Sequence, residues 1–297
     1  MGGSERLRMD DKQMNIQWYP GHMTKTRRQI EADLKQVDAV CEIVDARIPI
    51  SSRNPDIDSI CANKPRIMIL NRMDLADPNA TARWAEYFRS QGKAAVPTDC
   101  KSRRGINAFT PAVRQVLHEK LERDAKRGMN RSLRVMIVGI PNVGKSTLIN
   151  QISGRKGAKA ENRPGVTRGK QWVTVDGGLL LLDTPGILWP KFDDPNVGMM
   201  LAYTGAVKEG ILDIEELSCH LMELLWKRYP QAVIDRYGIE AEPDTPGYEL
   251  LELVGKKRGY LLSRGMIDTE RMAKVLLDEY RSGKLGRFTL ELPEYIK

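Results

Sequence analysis

Short runs of mostly apolar residues alternate with longer amphipathic stretches over the first two thirds of this 297-residue chain. Such runs, bounded by turn residues, are typical of buried strands. They predict six strands, at residues 39–44, 66–70, 94–96, 133–138, 171–175 and 179–182. The last two are separated by Asp176-Gly177-Gly178, which predicts a hairpin.

Between the strands, apolar residues recur with helical spacing at 24–36, 79–90, 106–125 and 145–152. Strands that alternate with helices indicate a mostly parallel sheet with helices on both faces. Beyond residue 195 the strand pattern nearly disappears, and helical spacing dominates at 196–208, 213–228 and 268–282. The sequence therefore predicts an α/β domain with a six-stranded sheet, followed by a smaller all-α domain.

Composition excludes several classes of protein. Hydrophobic residues make up 41% of the chain and charged residues 29%, which is typical of globular proteins and neither of disordered nor of collagen-like chains. The four cysteines and three histidines are scattered, which argues against a disulfide scaffold and against a zinc site. No apolar run approaches the ~18 residues that span a bilayer, and the polar N-terminus lacks a signal-peptide core, so we expect a cytoplasmic protein.

A glycine-rich motif follows the fourth predicted strand. Gly139-Ile-Pro-Asn-Val-Gly144-Lys145-Ser146 matches G-x-x-x-x-G-K-[ST] and opens the next helix, which is the context of a phosphate-binding loop. There, backbone N–H groups surround phosphates, Lys145 reaches the β- and γ-phosphates, and Ser146 binds Mg²⁺. A chance match in a tight turn is the alternative. The predicted nucleotide-binding residues of this loop are Asn142, Val143, Gly144, Lys145, Ser146 and Thr147.

Two further segments suit the γ-phosphate and a metal ion. Asp183-Thr184-Pro185-Gly186 follows the sixth predicted strand, where a carboxylate can hold Mg²⁺ through water and the Gly186 N–H can contact the γ-phosphate. Thr167, which ends the segment Arg163-Pro164-Gly165-Val166-Thr167, is placed to sense γ-phosphate and Mg²⁺, unless this is a plain Pro-Gly turn. The predicted Mg²⁺ ligands are Ser146, Thr167 and Asp183.

A guanine-binding loop is predicted after the second strand. Asn71-Arg72-Met73-Asp74 resembles the Asn-Lys-x-Asp of GTPases, in which the Asp accepts hydrogen bonds from guanine N1–H and N2–H₂. Arg72 replaces the usual Lys, so its contact with the phosphate loop is left open. Thr98-Asp99-Cys100-Lys101-Ser102 resembles the Ser-Ala-Lys loop of GTPases, with Asp99 and Cys100 in place of Ser and Ala, and the resemblance implies that Cys100 and Lys101 bring backbone N–H groups to guanine O6. Taken alone, the first loop is also compatible with a helix-capping turn.

These motifs stand in an unusual order. The guanine loops at 71–74 and 98–102 precede the phosphate motifs at 139–147, 167 and 183–186, so the chain resembles a circularly permuted Ras-like GTPase. With the segment Gln17-Trp-Tyr-Pro-Gly-His-Met23 in front, it resembles the ribosome biogenesis GTPase A family over roughly the whole chain from residue 17. The resemblance implies a GTPase that binds the assembling large ribosomal subunit, both rRNA and ribosomal proteins, and promotes its late maturation, with hydrolysis driving release.

The sequence pattern and this resemblance together predict a disordered extension at 1–13, a permuted GTPase domain at 14–190 and a helical RNA- or ribosome-binding domain at 195–297. Because the permutation opens the chain after Gly186, the helical domain would be tethered directly to the loop that senses the γ-phosphate. The expected cofactors are GTP or GDP, Mg²⁺ and K⁺. We expect a monomer with no membrane partner.

The catalytic residue requires a separate argument. Ras-like enzymes orient the attacking water with a Gln directly after the glycine of the switch loop, but Ile187 occupies that position here. The resemblance implies that His22 acts instead, since an imidazole can orient water or accept its proton. A turn residue after Pro20-Gly21 is the alternative. In related GTPases an Asn at this position of the phosphate loop helps hold K⁺ beside the phosphates, so the resemblance implies this role for Asn142, unless it is a loop residue that merely tolerates a left-handed backbone.

The chain has 47 Lys and Arg residues against 39 Asp and Glu, a formal charge of +8. From charge alone, a solvated face and an RNA-binding face are equally compatible with the basic helical part, and the resemblance favours RNA. Arg281 is expected on the same solvent side of its helix as Arg271 and Lys274. The residues predicted to contact RNA phosphates are Lys256, Lys257, Arg258, Arg271 and Lys274.

Two other functions compete with a ribosome-assembly GTPase. One is a GTP-dependent RNA-binding switch whose hydrolysis is incidental, which the isoleucine at position 187 keeps open. The other is a permuted GTPase of a membrane or tRNA-modification pathway. The sequence shows neither an anchor nor a second catalytic constellation, which argues against the last of these.

Overall fold

Six strands form one sheet in the order β3-β2-β1-β4-β6-β5. The computed structural model describes residues 23–154, 171–175, 177–186, 194–207 and 213–295. The first five strands in this order run parallel, and β5 pairs antiparallel with β6, as the predicted hairpin requires. The strand bounds are β1 Ala39–Asp45, β2 Arg66–Asn71, β3 Ala94–Pro97, β4 Leu133–Gly139, β5 Gln171–Val175 and β6 Leu179–Asp183. The predicted sheet is therefore confirmed.

Strand β1 shows why these segments read as nearly continuous apolar runs. It pairs with β2 on one side and with β4 on the other, and all seven of its residues are buried. Both faces of a central parallel strand are covered by helices, so both sets of alternating side chains need to be apolar. In β1, Cys41 and Ile43 face one apolar cluster, whereas Val40 and Val44 point to the opposite face.

Helices cover both faces of the sheet, as predicted. Helix α1 packs on Val40, and α3 packs on Val44 through Trp84. Helices α4 and α6 cover the other face, through Phe109 and Leu148. The bounds in this part of the chain are α1 Met23–Leu34, α2 Asp56–Ile60, α3 Pro78–Ser90, α4 Phe109–Val116, α5 His118–Lys126 and α6 Lys145–Ser153.

The helix predicted at 106–125 is in fact broken. A 3₁₀ turn at Ile106–Ala108 precedes α4, and the backbone leaves helical geometry at Leu117 before α5 begins. Leu117 is itself buried, whereas α5 has no buried residue. The break lets the chain keep Leu117 in the core and then turn α5 out over the surface. The short helix α2 was not predicted, because five residues give too little periodicity.

The described part of the chain beyond residue 193 contains helices and one isolated β-bridge, between Leu261 and Ile267, but no strand. Its α-helices are α7 Pro195–Tyr203, α8 Ile214–Arg228, α9 Pro230–Tyr237, α10 Gly247–Arg258 and α11 Thr269–Ser282. Helix α7 ends earlier than predicted, because Gly205 adopts a left-handed φ of 75°. Helix α8 packs on α10 and α11. Its contact with α10 is so close that a Cβ on Gly247 would lie 2.1 Å from the Cys219 carbonyl oxygen.

After α11 the chain returns to the α/β part. Phe288 N donates to Leu75 O at 3.0 Å, and Leu290 N donates to Arg47 O at 2.8 Å. The Trp84 indole donates to the backbone oxygen of Glu291 at 2.9 Å. The predicted tether between the sheet and the helical part, residues 187–193, lies outside the described residues. These hydrogen bonds show that the C-terminal segment of the helical part packs against the α/β part.

Among the described residues, no helix combines the length and the hydropathy needed to cross a membrane.

Candidate guanine nucleotide site

The predicted phosphate loop connects β4 to α6. Helix α6 begins at Lys145 directly after Gly144, whose left-handed φ of 112° strongly favours glycine. A Cβ at Gly144 would lie 2.3 Å from the Asn71 amide nitrogen, and one at Gly186 would lie 2.8 Å from the Pro141 backbone. Both glycines are needed because the loop is approached closely from the guanine side and from the β6 side. The N-terminal N–H groups of α6 point into the space that these segments surround.

Lys145 is a buried cation within this loop. Its Nζ donates to the carbonyl oxygens of Gly139 at 3.1 Å and Ile140 at 2.8 Å. Burial lowers the pKa of Lys145 to about 8, although the neighbouring Asp183 carboxylate acts in the opposite direction. An ammonium group that is desolvated in this way is strongly stabilised by an anion such as a phosphate.

Asp183 and Ser146 lie side by side at the ends of β6 and the phosphate loop. Burial raises the pKa of Asp183, while Lys145 and a hydrogen bond with Ser146 oppose the shift. The Oδ1 atom of Asp183 is buried and has no hydrogen-bond partner among the described residues. A hydroxyl and a carboxylate oxygen that lacks a partner fit the oxygen ligands that Mg²⁺ prefers.

Asn71 clamps three loops together. Its Nδ2 donates to the Val143 carbonyl oxygen at 2.7 Å, and its Oδ1 accepts from the Cys100 N–H at 3.1 Å. The guanine loop after β2 is thereby fixed to the phosphate loop and to the loop after β3. The geometry places Asn71 as a support of the site, with its amide committed to protein groups.

Arg72 also contacts the phosphate loop, which settles the point that the sequence left open. Its Nη2 donates to the Asn142 carbonyl oxygen at 2.7 Å, and its Nη1 lies 3.5 Å from Asp45 Oδ2. Arg72 has a left-handed φ of 62°. The replacement of Lys by Arg therefore keeps a link to the phosphate loop and adds an ion pair with the end of β1.

Asp74 is partly exposed and forms no hydrogen bond with a described residue, so both carboxylate oxygens are available to a ligand.

The predicted contacts of the loop after β3 differ from the structure. The Cys100 N–H is bonded to Asn71, and the Lys101 N–H donates to Asp99 Oδ1 at 2.9 Å. This loop holds Asn71 in place, because the Cys100 N–H points toward the Asn71 side chain.

Asn142 links the phosphate loop to the helical part. It has a left-handed φ of 59°, and its Nδ2 lies 3.3 Å from the carbonyl oxygen of Gly205. Its Oδ1 has no hydrogen-bond partner among the described residues. The amide oxygen is thus available for a cation, as a K⁺ ligand would need. The Thr147 side chain is half-buried on the first turn of α6.

A buried ion pair beside the site was missed by the sequence reasoning. Asp45 ends β1 and accepts from the Arg47 side chain at 3.0 and 2.8 Å. Burial alone would raise the pKa of Asp45, but Arg47 and Arg72 outweigh burial and lower it. Arg47 in turn lies over the ring of Tyr280 on α11, 5.2 Å from its centroid. The available signal was an Asp and an Arg two residues apart directly after a central strand.

Several predicted residues lie outside the described residues. These are the catalytic candidate His22, the switch residue Thr167 with the Pro-Gly segment before it, and Ile187. The structure thus brings together the guanine loop, the phosphate loop and the Asp183 loop, and their geometry toward those three residues stays a prediction.

The predicted RNA-binding side chains are exposed at one end of the helical part, but most of them also make local contacts. Lys257 donates to Gly238 O, and the Arg258 guanidinium lies 5.4 Å from the ring centroid of Tyr237. Arg271 lies over the ring of Tyr260 at 4.4 Å. Lys274 pairs with Glu270 one turn earlier on α11. Lys256 is exposed and forms no salt bridge with a described residue.

The prediction for Arg281 was wrong. Its guanidinium is half-buried and donates to the carbonyl oxygens of Ala202 at 2.8 Å and Tyr203 at 3.0 Å. The last carbonyl groups of a helix lack intrahelical partners, and a cation there also interacts favourably with the helix dipole. Arg281 therefore caps α7 and does not face solvent with Arg271 and Lys274.

The sheet, the phosphate loop and the guanine loop define a P-loop GTPase with circularly permuted motifs. The family described as "50S ribosome-binding GTPase" matches residues 134–235. Ribosome biogenesis GTPase A of Priestia megaterium is 46% identical, over 94% of this chain and 98% of that protein. The crystal structure of GNP-bound YlqF from Thermotoga maritima is 32% identical, with a TM-score of 0.59 over 92% of this chain and all of that chain. Mitochondrial ribosome-associated GTPase 1 of Xenopus tropicalis is 33% identical over 82% of this chain and 80% of that protein. The chain belongs to the ribosome biogenesis GTPase A family.

Proposed function

We propose that this protein binds the assembling large ribosomal subunit in the cytoplasm as a monomer and promotes its late maturation, with GTP hydrolysis driving its release. The observation that carries the proposal is the Asn71 clamp, because it fixes a guanine-binding loop directly against a phosphate-binding loop. The names of the relatives supply the ribosome as the partner.

The described side chains suit GTP binding with Mg²⁺. Asp74 would accept from the two guanine donors, and Lys145 would neutralise the β- and γ-phosphates. Ser146, Asp183 and Thr167 would hold Mg²⁺, which supplies charge stabilisation for phosphoryl transfer when it is bound. Support comes from the buried Asp183 oxygen that lacks a partner and from the position of Ser146 beside it. Gly186 would offer its N–H to the γ-phosphate.

Hydrolysis would depend on two further groups. His22 would orient the attacking water or accept its proton, because the isoleucine after Gly186 can do neither. Asn142 would provide its amide oxygen to K⁺, which is supported by the amide nitrogen being held by Gly205. The positively charged end of the helical part would contact rRNA phosphates, with exposed Lys256 as the least encumbered of its side chains.

A GTP-dependent RNA-binding switch with incidental hydrolysis is the second candidate, and turnover measurements separate the two. We expect the purified protein to hydrolyse GTP slowly alone, faster with large subunits, and faster in K⁺ than in Na⁺. Asp183→Asn serves as a control that should lose turnover while the fold is retained. If large subunits bind but leave turnover unchanged, the switch without functional hydrolysis becomes the better description.

A further inference from the structure

The edge of the sheet opposite the nucleotide site carries a basic cleft. It has a volume of about 520 Å³ and lies between the end of α1, the segment before β2, helix α5 and the start of β4. Its apolar lining residues are Val37 and Leu180. The charged residues that line it are five cations, Lys35, Lys64, Lys120, Arg131 and Arg134, and one acid, Asp38.

The single acid in this cleft is already engaged. Asp38 Oδ2 accepts from the Arg134 backbone N–H at 2.9 Å, and its Oδ1 lies 3.8 Å from Lys120 Nζ. Lys120 is also paired with Asp124 at 2.8 Å. Asp38 therefore balances no more than one of the five cations, and its orientation is fixed by the main chain of β4.

Three of the cations form no salt bridge with a described residue, although the pKa of Asp124, lowered mainly by a hydrogen bond from Lys120, is lowered further by the nearby Arg131. These three, Lys35, Arg131 and Arg134, are exposed. Arg134 is held 5.9 Å over the Trp172 ring, which limits the positions of its guanidinium. Lys64 donates to the Val37 carbonyl oxygen at 2.6 Å and so lines the cleft from a fixed position. The cations of this concave surface thus outnumber the carboxylates beside them, Asp38 and Asp124.

The cleft is too far from the phosphate loop to belong to the GTP site. Arg134 stands at the start of β4, whereas the phosphate loop follows its last residue, Gly139. At a rise of about 3.3 Å per residue, a strand of this length separates its two ends by roughly 20 Å. The nucleotide and an anion in the cleft would therefore bind at opposite edges of the same sheet.

We propose that this cleft is a second RNA contact of the protein, which binds the phosphodiester backbone of ribosomal RNA. The inference rests on the proposed function and adds a surface on the GTPase sheet to the basic helical part. A run of successive phosphates fits a groove with several cations spread along its walls, and such contacts position a protein without reading base sequence. Binding at this site would hold the sheet itself on the RNA, while the nucleotide edge stays accessible.

The test is a charge reversal with a matched control. Lys35→Glu with Arg131→Glu removes two cleft cations that form no salt bridge with a described residue, and Lys227→Glu with Lys284→Glu makes the same charge change at exposed sites outside the cleft. Affinity for purified large ribosomal subunits and for a short labelled RNA is measured over a range of KCl concentrations. GTP affinity and thermal stability report on folding.

We expect the cleft variant to bind both probes about 10-fold or more weakly at low salt, and the slope of log K against log salt to become shallower by about 1.5, as expected for two lost phosphate contacts. The control should stay within about twofold of wild type. Both variants should keep GTP affinity and melting temperature. A neutral variant, Lys35→Gln with Arg131→Gln, should fall between wild type and the reversal.

The outcomes distinguish a failure of the cleft as an RNA contact from a failure of the proposed function. If wild type binds RNA and the cleft variant matches the control at every salt concentration, the cleft is not an RNA contact, and the proposed function is unaffected. If the cleft is needed for the short RNA but wild type does not bind large subunits, the proposed function fails and the cleft stands. Titration with inorganic tripolyphosphate forms the last arm: cleft-dependent binding of this anion without any cleft effect on RNA would assign a small-anion site and overturn the inference.

Discussion

The side-chain amide of Asn142 lies 3.3 Å from the carbonyl oxygen of Gly205, so the phosphate loop contacts the end of α7 directly. The same end of α7 is capped by Arg281 from α11. Asn142 is therefore placed between the proposed K⁺ site and the helical part. Any movement of Asn142 during the nucleotide cycle would change both the proposed K⁺ site and the contact with α7.

Substitution of Asn142 should separate these two roles. Asn142→Ala should remove the advantage of K⁺ over Na⁺ and reduce turnover in K⁺ by about 10²-fold, the lower range for loss of one preorganised electrostatic contact. Asn142→Asp keeps an oxygen ligand but loses the donor to Gly205, so it should retain the K⁺ effect. Hydrogen exchange at residues 204–207 should rise in both variants. Equal wild-type rates in the two salts would exclude a role for K⁺.

Guanine selectivity should depend on Asp74. In Asp74→Asn, one acceptor becomes a donor that faces a guanine donor, so GDP affinity should fall by about 100-fold, on the scale of about 1.5–3 kcal/mol for a hydrogen bond to a charged group. Xanthosine diphosphate affinity should rise, because xanthine presents an acceptor there. Titrations with GDP and with xanthosine diphosphate measure the two affinities. An unchanged GDP affinity would place the base elsewhere.

Binding of GTP should take up a proton near pH 8. Burial lowers the pKa of Lys145 to about 8 in the protein alone, so close to half of the molecules lack this proton at that pH. The phosphates favour the charged ammonium, and GTP affinity should therefore fall as the pH rises above 8. Calorimetry at pH 8 in two buffers of different ionisation enthalpy should report uptake of about half a proton.

The sign of the Lys145 effect on stability follows from the same shift. Its pKa is lower in the folded protein than the ordinary value of 10.5, so the unfolded chain binds more protons between these two pH values. The contribution of this residue should make the free energy of unfolding increase from about pH 8 to 10.5. Lys145→Arg is the control, because an Arg stays charged and should abolish both proton uptake and this pH dependence. Uptake that persists in this variant would have to come from another group.

The strands and the loops of the candidate site were predictable because their signals are local. An apolar run followed directly by Asn71–Asp74 or by Gly139–Ser146 contains both the strand and the chemistry at its end. In a parallel sheet the carboxyl ends of the strands meet at one edge, so separate motifs can be assembled without knowledge of the packing.

Contacts between distant segments could not be predicted in this way. Arg47 is fully buried, and although its ion-pair partner Asp45 is only two residues away, its stacking on Tyr280 depends on the packing of α11. Arg281 has the helical position of a solvent-facing residue, yet the unpaired carbonyl groups of α7 lie beside it. Neither Tyr280 nor the carbonyl groups of α7 lie near these arginines in the sequence.

The basic end of the helical part should contribute to ribosome binding in proportion to its free charge. Lys256→Glu should weaken subunit binding more than Lys274→Glu, because Lys274 is already paired with Glu270. Both effects should shrink as salt rises, since counterion release supplies this part of the affinity. Co-sedimentation with large subunits at several salt concentrations measures the affinity of each variant. Wild-type behaviour of both variants throughout would identify this end as a solvated surface.

Catalysis should depend on His22. The sequence places Ile187 where Ras-like enzymes have a water-orienting Gln, and the family resemblance implies that His22 takes its place. His22→Ala should keep GTP binding and subunit binding, but lose about 10²-fold or more of the subunit-stimulated turnover, the scale of a general-base contribution. Because binding persists, the variant should accumulate on the large subunit. Single-turnover hydrolysis with subunits bound is the decisive measurement, and His118→Ala, on the exposed start of α5, is the matched control. A wild-type rate in His22→Ala would assign the attacking water to a group of the ribosome.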